Sequence, residues 1–192
     1  MNQMNPTRLI TAALMCAAFV IAGCKDTVRY GDARGVETVT NEFGSTDLQM
    51  IAESMTRSML NSPVIASNQA IVTVQDVKNK TSEYIDTRSI TDSIRVELQK
   101  SGKVRFAVDA AEMRQQIEEL QRQQSEYYDS QKSAEIGKMT GAGYRLEGNI
   151  TSIVKQAKDV KDVYYKFNLQ LWNIQNGLLE WTDEKEIRKT TS

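Results

Sequence analysis

YRLEGNITSIV (residues 144–154) and VYYKFNLQL (residues 163–171) are the two stretches that decide the fold. In the first, Tyr144, Leu146, Gly148, Ile150, Ser152 and Val154 alternate with Arg145, Glu147, Asn149 and Thr151. In the second, Val163, Tyr165, Phe167, Leu169 and Leu171 alternate with Tyr164, Lys166, Asn168 and Gln170. A period of two sends alternate side chains to opposite faces of a pleated strand, so both segments read as long, half-buried strands. Residues 155–162 join them as a charged hairpin tip that carries Lys155, Lys158 and Lys161. Downstream, Asn176-Gly177 separates the second strand from a third at Leu178 to Thr182, and Asn-Gly between apolar runs is a strong hairpin signal.

Upstream, short strands alternate with helices. Ile71-Val72-Thr73-Val74 is a nearly continuous β-branched run, the pattern of a mid-sheet strand buried on both faces, and Lys103 to Val108 makes a second short strand. Thr46-Asp47-Leu48-Gln49 reads as a capping box opening a helix that buries Leu48, Ile51, Met55 and Met59 and stops before Pro63. The methionines of that stripe read as core. Asp86 or Thr87 caps a helix with Ile90, Ile94 and Leu98 on one stripe and Gly102 as its left-handed end. Asp109 caps another, with Glu112 three residues on, Met113, Ile117 and Leu120 facing inward and Glu118 and Arg122 paired outside. Between Gln121 and Ser133 the composition turns polar around Tyr127-Tyr128, either a partner-facing helix extension or a solvated loop. A short helix at Ala134 to Thr140 ends at Gly141. The sum is a single-domain α/β sandwich with a mixed, mostly antiparallel sheet and helices on one or both faces.

The N-terminus reads as an address. Arg8, the apolar stretch from Leu9 to Ile21 and the small pair Ala22-Gly23 have the layout of a secretory signal, and the stretch is well short of the ~20 residues needed to cross a bilayer. Ile21-Ala22-Gly23-Cys24 resembles a lipobox, which implies cleavage between Gly23 and Cys24 and a lipid on the Cys24 thiol. The expected organisation is therefore a signal peptide over residues 1–23, a lipidated flexible tether over residues 24–44 containing Gly31, Gly35 and Gly44, and the α/β domain over residues 45–192. With Cys16 removed and Cys24 lipidated, no disulfide is possible and the domain rests on its core.

Composition removes most chemistry. The chain has no histidine, which excludes Ser-His-Asp triads, His-containing zinc sites and the imidazole base, and the thiols are already used. Its 24 basic and 25 acidic side chains give a net charge of −1 and no footprint for nucleic acid. Gly141-Ala142-Gly143 opens like a dinucleotide fingerprint but lacks the third glycine and leads from helix into strand, so no cofactor is expected, and no metal. Asn79-Lys80-Thr81 and Asn149-Ile150-Thr151 match the glycosylation triplet but are assigned no function in an exported bacterial chain.

Four strings taken in order, Ile71 to Lys80 (IVTVQDVKNK), Ser101 to Phe106 (SGKVRF), Gly141 to Leu146 (GAGYRL) and Leu169 to Trp181 (LQLWNIQNGLLEW), together with the lipobox, resemble the penicillin-binding protein activator LpoB family. The likeness runs over about Thr46 to Glu186. It implies a fold like the N-terminal domain of TolB, residence in the outer membrane facing the periplasm, and docking onto the regulatory domain of a bifunctional (class A) penicillin-binding protein that the lipoprotein activates. Lys25 fits that residence, because it stands where Asp retains such lipoproteins in the inner membrane. One departure is plain: the tether is short and has no Pro-rich stretch, whereas the family often has a long one. Besides this non-catalytic activator, two readings remain: an assembly or secretion lipoprotein of TolB-like or curli-export type, and a glycan hydrolase working with carboxylates. Lys155, Lys158 and Lys161 are candidates for steering an acidic partner, or a solvated turn.

Overall fold

Residues 30–66 and 69–191 are described by the computed structural model; the expected signal peptide, Gly23 and Cys24 lie outside the described residues. The chain divides into two units, Met1–Ala33 and Arg34–Ser192. Of the first, the described residues 30–33 hold no helix or strand.

The second unit runs α1 (Ser45–Leu60), α2 (Pro63–Ala66), β1 (Ala70–Val74), β2 (Lys78–Lys80), α3 (Thr87–Lys100), β3 (Val104–Phe106), α4 (Ala110–Gln123), β4 (Tyr144–Ala157), β5 (Val160–Asn173) and β6 (Leu179–Thr191). One sheet is formed in the order β3-β1-β4-β5-β6, with β2 also on β4. The short strands pair in parallel and the three long ones antiparallel, so the mixed α/β architecture is the one the alternating stretches imply.

The register sets the core. Leu146 faces Leu171, Gly148 faces Leu169 and Ile150 faces Phe167 across β4 and β5. Val163, Tyr165, Phe167, Leu169 and Leu171 are all 1% exposed or less, and the inward stripes of α1 (Ile51, Met55, Met59) and α3 (Ile90, Ile94, Leu98) join them in one cluster. Each such side chain contributes on the order of 1.5–3 kcal/mol on burial. The methionines are core, as read. Because α1 and α3 share one face of the sheet, β1 is not buried on both sides: Ala70, Val72 and Val74 are buried, but Ile71 and Thr73 only partly. The other face, carrying Arg145, Glu147 and Asn149 opposite Trp172, Gln170 and Asn168, is partly exposed and polar.

Several local expectations change. Helix α1 is capped at Gly44, whose N–H donates to Asp47 Oδ2 at 2.8 Å, and not by a Thr46–Gln49 box. Glu37 supplies the missing acceptor for Thr46 N–H from outside the helix, at 3.1 Å. Phe43 and Leu48 pack beside the core on either side of this cap, in the positions of a hydrophobic staple. Asp86, in contrast, caps α3 and Asp109 caps α4 with Glu112, as read. Helix α4 does not face inward at Met113 and Ile117, which are 36% and 43% exposed; Leu120 is buried, outside the main cluster. It follows edge strand β3, where the sheet has no further layer to receive it. Arg122 pairs with Glu119 and not with Glu118. Residues 134–140 hold no helix, only a turn at Ile136-Gly137, with Gly137 at φ 81°, where a helix cannot continue.

The long strands run further than the apolar pattern suggests. The hairpin tip tightens to Lys158-Asp159, with Lys158 at φ 50°. β6 continues through Asp183-Glu184-Lys185-Glu186 because cross-strand partners accept its charges: Lys166 Nζ lies 2.9 Å from Glu184, Tyr164 O–H donates to Glu186, and the Arg188 guanidinium sits 5.8 Å from the Tyr164 ring. Charges along an outer strand also discourage edge-to-edge association.

At one end of the core lies a buried ion pair. Lys189 Nζ is 2.5 Å from Asp47 Oδ2, with side chains 11% and 4% exposed, and it also donates to Glu42 O at 2.6 Å. Asp47→Ala leaves a shielded ammonium without its carboxylate and should cost ~3–5 kcal/mol. The double change Asp47→Leu with Lys189→Met should cost clearly less. Urea unfolding of the three proteins checks both statements.

Candidate functional site

Among the described residues no group of three or more His, Cys, Asp or Glu side chains is placed to hold a metal ion. The surfaces available for contact are the hairpin tip, the groove between α1 and α3, and the outer side of α4.

At the tip, Lys155 stands opposite Asp162 and Lys161 opposite Gln156. Strand alternation therefore sends Lys155 to the polar face and Lys161 to the core side, with Lys158 at the apex. The structure brings the three ammonium groups to one end of the β4–β5 ribbon but not onto one face. The Lys161 carbonyl accepts from Asn41 Nδ2 at 3.3 Å, and Asp162 accepts from Thr190 Oγ1. Ile153, Val154 and Val160 are exposed beside the lysines, so the tip is apolar as well as basic.

The groove between α1 and α3 encloses about 1090 Å³ and is lined by Leu48, Ala52, Thr56 and Leu60 at successive i, i+4 positions of α1, facing Ser93 and Val96 of α3. Its rim charges are largely matched within each helix, Glu53 to Arg57 and Glu97 to Lys100, the latter at 2.8 Å. The hydrogen bond from Lys100 holds the Glu97 carboxyl below the usual carboxylate range. Thr56 is 8% exposed, and its Oγ1 has no hydrogen-bond partner among the described residues. Sequence reading missed this groove because, Leu48 apart, its lining sits off the apolar stripes. The one available signal is Val96, a β-branched residue on the polar side of α3.

Helix α4 is fixed at its start. Arg95 reaches Asp109 at 3.8 Å and Glu112 at 3.6 Å, Arg88 reaches Glu112 at 3.7 Å, and the Arg95 guanidinium lies 5.6 Å from the Phe106 ring. Beyond that cluster, Met113 and Ile117 look outward. The segment after α4 folds back on it through Ser133 Oγ to Gln123 O at 2.8 Å and Gln124 Nε2 to Ala134 O at 2.8 Å, leaving Tyr127 and Tyr128 exposed.

The family described as peptidoglycan-synthase activator LpoB matches residues 47–187. Among solved structures, the LpoB C-terminal domain from Escherichia coli is 20% identical, with a TM-score of 0.48, covering 73% of this chain and 98% of that one. The corresponding Salmonella enterica domain is 18% identical over the same shares, at 0.44. The NMR structure of E. coli LpoB is 17% identical, covers 88% of this chain and 87% of that one, and scores 0.43. A search of curated proteins finds no match.

The groove generates one prediction. Thr56→Val keeps the shape of the side chain and removes the orphaned hydroxyl, so it should raise stability by about 1 kcal/mol. Thermal and denaturant unfolding check it; a loss of stability would mean that the hydroxyl is satisfied in solution.

Proposed function

We propose a function that starts from one premise: the chain belongs to the peptidoglycan-synthase activator LpoB family. The family match over residues 47–187 is the observation that carries the reading, since it takes in strands β1 to β5 and helices α2, α3 and α4 entirely and most of α1 and β6. The protein is a non-catalytic lipoprotein of the outer membrane that faces the periplasm. It binds the regulatory domain of a bifunctional penicillin-binding protein and favours the active conformation by binding that state more tightly. Residues 1–23 are the signal peptide, lipid on Cys24 is the anchor, residues 24–44 carry the domain at a distance, and residues 45–192 dock. The lipobox supports a lipid anchor. No helix among the described residues is long and apolar enough to cross a membrane. The absence of histidine supports a role in binding and not in catalysis. Lys155, Lys158 and Lys161 steer the encounter with an acidic surface.

Three measurements test this. The lipid-free chain, residues 25–192, should accelerate glycan polymerisation by a purified class A synthase and release no muropeptides from peptidoglycan by itself; unaided release would make it a hydrolase. Cys24→Ala should move the protein out of the membrane fraction, and an outer-membrane sediment surviving a salt wash would show another anchor. Changing Lys155, Lys158 and Lys161 together to Gln should slow association roughly three- to tenfold at low salt and much less at moderate salt, whereas an unchanged on-rate would remove the tip from the interface.

A further inference from the structure

Residues 37–44 lie within the segment that the sequence reads as tether, yet in the structure they are fastened to the base of the domain. The Glu37 carboxylate accepts from Thr46 N–H at 3.1 Å and Ser45 Oγ at 2.9 Å. Asn41 Nδ2 donates to Lys161 O at 3.3 Å, and Asn41 O accepts from the Tyr165 hydroxyl at 2.9 Å. Glu42 O accepts from Lys189 Nζ at 2.6 Å, and Phe43 N–H donates to Glu83 Oε2 at 3.0 Å. The Phe43 ring meets Tyr165 edge-on at 5.8 Å and supplies the segment's apolar contact with the core. Val36 and Val39 are exposed, and no residue from 30 to 44 belongs to a strand or helix.

Segments held by a few hydrogen bonds and one apolar anchor occupy the low end of a protein's local stabilities. The buried side chains beneath this one each keep a partner without it. The Tyr165 hydroxyl has a single proton, and both Asn41 O and a Glu83 carboxylate oxygen are within reach of it. If Asn41 leaves, Glu83 takes the proton whole. Lys189 likewise keeps Asp47, whose carboxylate loses only the Gly44 N–H and retains its ion pair. Departure of the segment therefore strands no buried charge, which separates its fate from that of the domain.

We propose that residues 37–44 are a releasable strap, which peels away before the domain unfolds and lengthens the link between the domain and its anchor. The inference rests on the anchor at Cys24 set out above. With the strap docked, residues 24–36 span at most ~44 Å; with it released, residues 24–44 span ~71 Å, a gain of about 27 Å of contour. The short tether thus holds a reserve that tension draws on when the partner is distant.

Optical-tweezer pulling of the lipid-free chain, residues 25–192, through handles at Lys25→Cys and Thr191→Cys reads this directly. The expected trace shows a low-force, reversible extension of about 27 Å of contour before the single rip of the domain. Phe43→Ala and, separately, the exposed change Glu37→Gln should lower the force of the first step and leave the rip in place. A trace in which strap and domain yield together, or an early step insensitive to both changes, overturns the strap. These measurements use neither synthase nor membrane, so failure of synthase stimulation would count against the activator reading and leave the pulling result standing. In cells, deletion of residues 25–34 should reduce activation, and Phe43→Ala should restore part of it; no restoration would overturn the reserve.

Discussion

Strand β5 is the constraint on which the rest of this fold depends. Its five inward side chains are fully buried, and it is hydrogen-bonded along its whole length to β4 on one side and β6 on the other. Gly148 pins the first of these pairings. A Cβ there would fall 2.1 Å from Asn168 O and 2.8 Å from Leu169 Cδ2, so only glycine lets Leu169 lie across β4. A slip of one residue would turn both apolar sets to solvent, which is why alternation this regular fixes the register. Helices α1 and α3 then cover the apolar face that this register creates, and Trp181 Nε1, 3.3 Å from Ser58 Oγ, links β6 to α1.

The apolar core does not close at its base, and polar groups finish it. Tyr165 is the junction: its ring belongs to the core while its hydroxyl reaches Glu83 and Asn41. Burial first, and then the hydrogen bond to Glu83, push the phenol far above its ordinary range, so it remains a donor at any physiological pH. Beside it, Lys189 and Asp47 answer each other's charge where water is largely excluded. These partners make the base of the domain a surface with polar fastenings, and the chain arriving from the N-terminus docks there.

On the proposed reading, a protein that activates without chemistry of its own would act only through a difference in affinity between two states of its target. Such a device needs a rigid body and a defined surface. The three long strands and two inward helices supply the first, and the sheet covered on one face leaves a groove, a ribbon tip and an outward helix face for the second. The proposed strap concerns neither; on the reading of Cys24 as the anchor, it would govern how far from that anchor the body is held.

Much of this was legible in the amino-acid sequence alone, for a local reason. The period of two in residues 144–154 and 163–171, the stripe of α3 and the caps at Asp86 and Asp109 depend on neighbours within a few residues, so the residues themselves carried them. The same holds for the turn at Asn176-Gly177, where Gly177 takes φ 72°. Strand β2, with Lys78, Asn79 and Lys80 all exposed, had no apolar period to announce it, and only pairing with residues 149–151 of β4 makes it a strand. Met113 and Ile117 have a core-like spacing, but no layer beyond β3 receives them. Glu37 caps a helix eight residues away, and Asn41 to Phe43 meet partners 40 to 147 residues distant. Contacts across such separations leave no mark in a local pattern, so the docking of the segment preceding α1 was decided by tertiary structure: only there do Tyr165, Glu83 and Lys189 stand together to hold it.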